Sequence, residues 1–399
     1  MKGAIENGAC PGCRGAGRTG TPCGETLCAA RGYHRIPVDY LGPAGEIPDL
    51  MMGQLLGIYL IVGGIGSGAF GTVYLGLQLP VGLKAAVKML DLRNFPRQMW
   101  DTLLEKFESE ARALAAVQHP NVLRLFQYST VRGQPYIVTD YIDGGFTLEE
   151  EIEQRAATDE GYRVEEVAAM LDQILSGLNA VHDAGIAHRD IKPANIMIQD
   201  RAGYPRLVRI LDFGLAKFLE RGDVTLATSG TPDYMAPEQL TRDRLGPWTD
   251  LYAVGVIAYE LLSGCKPFPG DDIQTVLFHK LNPSWDPNER VRQLGLPEQV
   301  QAFFARSLAM DPGDRYRSVG EMREGLESAL ARMDPGGAGV VGTISVDGLV
   351  RSPGSNSENS TMAIPLMVVR SDETVDSEEA FRRWIEMEAN RLGSEDSET

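Results

Sequence analysis

Positive charge is scarce in this chain. Of its 399 residues, 38 are lysine or arginine and 55 are aspartate or glutamate, so the net charge is −17. Such an acidic surface repels the phosphates of nucleic acids and of anionic lipids. We therefore expect neither a nucleic acid nor a membrane surface among its partners.

We expect neither a secretion signal nor a transmembrane helix in this chain. Its first residues (1–4, MKGA) lead into glycine, cysteine and arginine instead of the apolar core of a secretion signal. Residues 50–83 carry no charged side chain, but glycines interrupt them, and alternation such as TVYL at 72–75 is typical of strands. We expect a cytoplasmic protein in which this run begins a buried sheet.

Cysteine is scarce outside the first segment. Of five cysteines, four lie before residue 30 in a C-x₂-C…C-x₄-C pattern. These four are Cys10, Cys13, Cys23 and Cys28. Four thiolates around Zn²⁺ fold a segment too small to form its own core, so we predict a structural zinc site, with His34 as a substitute ligand. Disulfides and a redox thiol pair are the alternatives. The fifth, Cys265, is expected to be a buried small side chain.

Composition divides the chain into four segments. Residues 1–35 are rich in glycine and cysteine, 36–56 form a connector, 57–333 mix strand and helix patterns, and 334–399 resemble an acidic, flexible tail. Within that tail, 377–392 has the spacing of a short amphipathic helix. The Cys-rich segment and the tail are the candidate contacts for a partner protein. A strand-rich start and a helical remainder in 57–333 predict an α+β fold with two lobes.

Hydrophobic patterns predict the individual elements of the large segment. Residues 57–90 have the pattern of three strands around a glycine turn, and 136–141 that of a further strand. Pro297 suits the first position of a helix, where its missing N–H costs nothing. Helices are expected over residues 101–117, 164–184, 249–263, 297–308 and 319–331.

Two carboxylates and a carboxamide are close together in the middle of the chain. Residues 188–195 have the sequence HRDIKPAN, and 212–214 have DFG. Asp190 is suited to accept a hydroxyl proton, whereas Asn195 and Asp212 offer hard oxygen ligands for Mg²⁺ or Mn²⁺. These stretches resemble the catalytic loop and the metal loop of the Hanks-type (eukaryotic-like) serine/threonine protein kinases, and most of all their bacterial branch.

The resemblance covers about residues 57–333 and implies a two-lobed protein kinase fold. It implies transfer of the γ-phosphoryl group of ATP to serine or threonine of protein substrates. Asp190 would be the catalytic base, Lys192 would neutralise the transferring group, and Asn195 and Asp212 would hold the metal. A catalytically silent scaffold and a small-molecule kinase are the alternative functions.

The same resemblance assigns the nucleotide site. Lys88 ends an apolar strand and would bind the phosphates while pairing with Glu110, for which Glu108 is the competitor. The motif GSGAFGTV at 66–73 would hold the phosphates on backbone N–H groups. Alone it also fits a dinucleotide turn or a hairpin, but a strand follows it. The other expected contacts are Gly66, Gly68, Gly71, Val73, Ala86, Asp140 and Ile142, with Thr139 as gatekeeper and Asp143 near the ribose.

Residues 230–238 (GTPDYMAPE) resemble the segment that docks a protein substrate. Together with Lys192 they follow the serine/threonine pattern. The resemblance also implies that Asp250 supports the catalytic loop and that Arg315 pairs with Glu238.

Arg189, which precedes the expected base, suggests regulation by phosphorylation. A phosphate between the metal loop and residue 238 would pair with this arginine and order the segment. The candidate acceptors are Thr225, Thr228 and Ser229.

Overall fold

The structure is a computed structural model, and the side chains of Asn94, Lys106 and Glu110 are not part of its description. Apart from Thr241 and Asp243, the described residues belong to one compact unit. The amphipathic helix expected at 377–392 lies outside the description. The described residues are 7–43, 49–68, 71–200, 205–211, 232–241, 243–270, 272–282 and 284–333.

The first segment folds as a small module of three short antiparallel strands and one helix. Strands β1 (Gly8–Ala9), β2 (Ala16–Gly17) and β3 (Ile36–Pro37) pair in the order β2-β1-β3, and helix α1 spans Thr26–Ala30. Its interior cluster of buried apolar residues is Cys10, Cys23, Cys28 and Tyr33. A core of this size provides little hydrophobic stabilisation, which is typical of domains that need a metal or disulfides.

A six-stranded antiparallel sheet follows, in the order β4-β5-β6-β7-β9-β8. Helix α2 (Trp100–Ala116) packs Leu103, Phe107 and Ala111, one helical turn apart, against its inner face. The three strands expected over 57–90 and the strand at 136–141 are confirmed. The strands are β4 (Leu55–Leu56), β5 (Tyr59–Gly68), β6 (Gly71–Gln78), β7 (Leu83–Leu90), β8 (Leu125–Val131) and β9 (Gln134–Asp140).

The charge-free run therefore forms part of this sheet. In the part of the chain that the structure describes, no helix has both the length and the apolarity that crossing a bilayer requires. The segment 36–56, which the sequence sets apart as a connector, contributes β3 to the module and β4 to the edge of the sheet.

The second lobe is helical and is built around α6 (Pro247–Ser263), whose residues from Thr249 to Ser263 are all buried. Helix α6 packs against α4 and α9. A small antiparallel sheet contributes Ile196, Ile198, Val208 and Ile210 to the same core. Its strands are β10 (Gly145–Thr147), β11 (Ile196–Gln199) and β12 (Leu207–Ile210). The other helices are α3 (Leu148–Thr158), α4 (Val164–Asp183), α5 (Pro237–Thr241), α7 (Ile273–Leu281), α8 (Asn288–Gln293), α9 (Glu298–Ser307) and α10 (Val319–Leu330).

The expected long helices are present, but the start expected for α9 is wrong. Pro297 precedes the helix with extended backbone angles (φ −54°, ψ 152°), so the first helical residue is Glu298. Helix α3 was not expected, because its sequence is dominated by charges. It begins at a capping box in which Thr147 and Glu150 satisfy each other's backbone N–H groups.

Candidate active site

The expected catalytic loop connects α4 to β11, and Asp250 of α6 holds its backbone in place. This carboxylate is 1 % exposed and accepts hydrogen bonds from the backbone N–H of His188 at 2.8 Å and of Arg189 at 2.6 Å. The ring of His182 lies 2.8 Å from the same carboxylate. Arg189 has φ +64°, a left-handed conformation that is costly for a residue with a Cβ and is maintained here by these bonds. Asp250 therefore occupies the supporting position expected for it.

Asp190, Lys192 and Asn195 are brought together on this loop. The Asn195 amide Nδ2 donates to the Asp190 carbonyl oxygen and to its Oδ2, both at 2.8 Å, and Lys192 Nζ lies 3.1 Å from the same Oδ2. The amide nitrogen Nδ2 thus orients Asp190, so the side-chain oxygen Oδ1 is the Asn195 atom that would suit Mg²⁺. The carboxylate, the ammonium group and the carboxamide expected to act together therefore share one loop.

The start of the metal loop is anchored to this site, although Asp212 itself lies outside the described residues. The backbone N–H of Leu211 donates to the backbone carbonyl oxygen of Asn195 at 2.8 Å. The Leu211 carbonyl oxygen lies 2.7 Å from Nε2 of the His188 ring. The residue before Asp212 is thus directly bonded to the catalytic loop.

The expected nucleotide contacts meet on neighbouring strands. Val73 on β6 is paired both with Gly66 on β5 and with Lys88 on β7. Gly71 has φ +148°, and a Cβ there would lie 1.8 Å from the Met89 carbonyl oxygen, so this position requires glycine. A Cβ on Gly66 or on Gly68, by contrast, would meet no atom within 4 Å, which leaves their backbone open to a ligand.

The end of β9 forms the hinge between the lobes. Ala86 on β7 pairs with Thr139, which is 5 % exposed, and the adjacent Ala85 pairs with Asp140. Ile142 is buried and its carbonyl oxygen accepts a hydrogen bond from a backbone N–H three residues later, at 3.1 Å. The hinge backbone is therefore positioned by the sheet on one side and by a tight turn on the other.

Asp143, expected near the ribose, forms an exposed ion pair. Its Oδ1 lies 2.9 Å from Lys84 Nζ. The hydrogen bond with this carboxylate raises the pKa of Lys84.

The expected pair of Lys88 and Glu110 stays a prediction. Lys88 is half-buried in β7, and the backbone of Glu110 lies in α2, but the Glu110 side chain lies outside the description. The competitor Glu108 forms an exposed ion pair with Arg112 at 2.6 Å, one helical turn away. Glu108 is thus engaged on the helix surface.

The segment from 232 to 238 rests on the helical lobe through a buried ion pair. Arg315 donates to both carboxylate oxygens of Glu238, each at 2.9 Å, and the two side chains are 1 % and 2 % exposed. Thr249 also donates to Glu238 at 2.9 Å. Gln239 reaches the Arg189 carbonyl oxygen at 2.9 Å, which links this segment to the catalytic loop.

Two lysines that the sequence analysis did not single out hold the same segment. Lys280 on α7 is 3 % exposed, and its ammonium donates to the carbonyl oxygens of Asp233 at 2.5 Å and of Met235 at 2.7 Å. Lys266 forms an ion pair with the Asp233 carboxylate. No local pattern marks either lysine, because their partners lie more than thirty positions away.

A buried tyrosine and a buried glutamate also hold residues 232–238, which we call the platform. The Tyr234 hydroxyl donates to the Glu260 carboxylate at 2.6 Å. Burial raises the pKa of both groups, and proximity to the carboxylate raises that of Tyr234 further, so its hydroxyl keeps its proton. Residues 232–236 are all buried by these contacts.

The four N-terminal cysteines converge on one point. Their sulfur atoms all lie within 4.8 Å of one another, and Cys13 Sγ is 3.5 Å from Cys23 Sγ. Tetrahedral Zn–S bonds of about 2.3 Å place sulfurs about 3.8 Å apart, so the cluster fits a zinc ion. His34 is not a member; its Nδ1 lies 3.1 Å from the Gly32 carbonyl oxygen. Cys265, which was expected to be buried, is only half-buried.

Two lobes joined through β9, with a carboxylate, a lysine and a carboxamide brought together on the loop between α4 and β11, have the arrangement of a phosphotransferase. The family model of the protein kinase domain matches residues 59–326. The chain therefore belongs to the protein kinase family.

Its curated relatives are bacterial serine/threonine-protein kinases. It is 33 % identical to Pkn1 of Myxococcus xanthus over 293 residues, which is 72 % of this chain and 40 % of the relative. It is 33 % identical to PknL of Mycobacterium tuberculosis over 287 residues, 71 % of this chain and 69 % of that one. Among solved structures, a double mutant of the Mycobacterium tuberculosis PknI kinase domain shares the fold, with a TM-score of 0.55, 24 % identity and coverage of 71 % of this chain and all of that one.

Proposed function

We propose that this protein is an active serine/threonine kinase that transfers the γ-phosphoryl group of ATP to protein substrates. The observation that carries the proposal is the convergence of Asp190, Lys192 and Asn195 on a loop that Asp250 holds rigid. Rate then comes from positioning and charge stabilisation instead of covalent chemistry.

In this proposal each residue of the loop has one task. The Asp190 carboxylate orients the acceptor hydroxyl and takes its proton, and Asn195 keeps that carboxylate in place. The Lys192 ammonium, 3.1 Å from Asp190, stabilises negative charge on the transferring group. Asn195 and Asp212 would hold Mg²⁺ or Mn²⁺, which would neutralise negative charge on the phosphates.

The nucleotide would lie under the glycine motif, with Lys88 at its phosphates and Glu110 holding that lysine. The backbone of Gly66, Gly68 and Gly71 would contact the phosphates. The adenine ring would pack against the side chains of Val73 and Ala86. It would form hydrogen bonds with the hinge backbone at Asp140 and Ile142.

A protein acceptor is favoured over a small molecule by the buried platform at 232–238. Two lysines, an ion pair and a tyrosine hold this segment, which resembles a substrate-docking segment, next to the catalytic loop. Incubation with Mg²⁺ and γ-labelled ATP is expected to place label on serine and threonine of added protein. Label found only on small molecules would favour the small-molecule kinase, and no transfer at all would favour the silent scaffold.

Phosphorylation between the metal loop and the platform is the regulatory part of the proposal. Thr225, Thr228 and Ser229 lie outside the described residues, so the support is the strained Arg189, whose position next to the catalytic base suits a phosphate partner. Replacing all three acceptors by alanine is expected to slow substrate phosphorylation several-fold, measured as an initial rate. A triple variant as fast as the parent would contradict this regulation.

We also propose that the cysteine module holds one structural Zn²⁺ and that the protein acts in the cytoplasm. The geometry of the four sulfurs supports the first point. A reducing compartment suits the second, because it keeps cysteines available as thiolate ligands. The proposed organisation is a zinc module up to residue 35 that β3 (Ile36–Pro37) completes, a connector to 56, the catalytic domain over 57–333 and an acidic tail.

Zinc content is expected to be one equivalent per chain in the parent, measured by native mass spectrometry. The double variant Cys10→Ser/Cys13→Ser is expected to lose it, because a site with two ligands binds zinc far more weakly. Cys265→Ser is the matched control and keeps the metal, since Cys265 lies outside the cluster. A parent that purifies without zinc would end the metal proposal.

A further inference from the structure

The cysteine module is bonded to the strand that leads into the glycine motif. His34 of the module donates its backbone N–H to the Gly53 carbonyl oxygen at 2.7 Å. Gly53 in turn donates to Ile61 of β5 at 2.9 Å, and Ile61 donates back to Gln54 at 2.9 Å. The Gln54 side chain reaches the Arg31 carbonyl oxygen at 2.8 Å. A continuous set of backbone hydrogen bonds thus joins the module to β5.

Side-chain packing fastens the same junction. Ile36 of β3 is fully buried and shares a core with Leu60, Val62 and Leu77 of β5 and β6. The approach is close, since a Cβ on Gly53 would lie 2.7 Å from the Pro11 ring. The module is therefore part of the packing of the first lobe.

Past Val62, the described part of β5 pairs with β6 alone and is no longer buried. Its pairing with β6 shifts register twice, between Ile61 and Gly63 and between Gly64 and Gly66. Bulges and glycines weaken a strand, because they interrupt the ladder and provide no side chains to pack. The position of the glycine motif therefore depends on what secures β5 at residues 60–62.

The module has too small a core to secure β5 without a metal. Its interior cluster consists of three cysteines and Tyr33. Binding of the metal and folding of such a module are one event. Loss of the metal would therefore free Ile36 from the core that it shares with β5 and β6. It would also break the hydrogen bond between His34 and Gly53.

We propose that metal binding by the module and ATP binding by the glycine motif are thermodynamically coupled. The metal-loaded module positions β5, and Ile36 is the positioning residue through which it acts. This inference rests on the proposed zinc and nucleotide sites. Because linkage is reciprocal, the module must also bind the metal more tightly when nucleotide is bound at the glycine motif.

The test measures both directions on the full chain. A fluorescent ATP analogue with Mg²⁺ is titrated into the zinc-loaded protein and into protein stripped by a chelator that is then removed. Stripping is expected to weaken nucleotide binding about 5- to 150-fold. In the reciprocal measurement, saturating nucleotide is expected to slow zinc transfer to a chromophoric chelator. Equal nucleotide affinity with and without zinc would overturn the proposal.

Variants of Ile36 then test the route. Ile36→Ala keeps all four cysteines, so its zinc content is expected to stay at one equivalent while the effect of stripping on nucleotide binding shrinks towards none. Ile36→Val, which keeps most of the packing, is expected to retain most of the effect. Leu27→Ala, on the module but 76 % exposed, is the matched control and keeps it fully.

The outcomes separate this inference from the functions on which it rests. A parent without zinc rejects the zinc site, and a parent that binds no nucleotide rejects the kinase function. Zinc and nucleotide bound without mutual effect reject the coupling alone. Full coupling in Ile36→Ala rejects the assigned route.

Discussion

Asp190→Asn is expected to slow phosphoryl transfer to protein by about 10²–10⁴-fold, the usual contribution of a positioned general base. The asparagine keeps the size of the side chain but cannot take the acceptor proton. ATP binding is expected to persist, because the nucleotide contacts lie on the first lobe and the hinge. Initial rates with labelled ATP measure the first effect, and titration with a fluorescent nucleotide analogue measures the second.

The matched control is Asp159→Asn. Asp159 is exposed at the end of α3 in a left-handed conformation (φ 56°) that asparagine also tolerates, so the parent rate is expected. An Asp190→Asn variant that transfers phosphate as fast as the parent would remove Asp190 from the chemistry. A variant that loses nucleotide binding as well would show a structural role instead.

Arg315→Met is expected to lower the free energy of unfolding by about 3–5 kcal/mol. The substitution leaves the Glu238 carboxylate buried, with its two charge-assisted hydrogen bonds from Arg315 lost. The Arg315 side chain also donates to two backbone carbonyl oxygens, at 2.7 and 2.8 Å, which would lose their donor. Urea unfolding followed by circular dichroism measures the loss.

Two further variants show whether the loss of stability comes from the buried Glu238 carboxylate that is left without a partner cation. Adding Glu238→Gln to Arg315→Met removes the buried charge, so the double variant is expected to be more stable than the single one. Arg292→Met breaks the ion pair between Arg292 and Asp286, whose side chains are 49 % and 50 % exposed, respectively. This variant is expected to lower the free energy of unfolding by less than about 1 kcal/mol. An Arg315→Met cost as small as that of Arg292→Met would contradict the argument.

Much of the fold was predictable because its periodicity is local. The apolar positions of α2 and α4 recur at helical spacing, and the strands that lead to Lys88 alternate, so these elements follow from neighbouring residues alone. Helix α3 was missed since its apolar face is narrow, and the start of α9 was misplaced by one residue at Pro297. Boundaries depend on backbone angles that composition does not determine.

The candidate site divides along the same physical line. Asp190, Lys192 and Asn195 lie within six positions, so a single loop brings them together and the sequence by itself specifies their chemistry. The contacts of Lys280 with residues 233 and 235 span more than forty positions and exist only because α7 packs under the platform.

The sequence by itself thus determined which groups are proposed to carry the reaction, and it showed four cysteines at metal-ligand spacing. Only the tertiary structure decided that the cysteine module is built into the first lobe. Ile36 enters the core of β5 and β6 through hydrophobic packing, which is non-directional and leaves no spacing signal in the chain. The proposed link between the metal and the nucleotide rests on that packing.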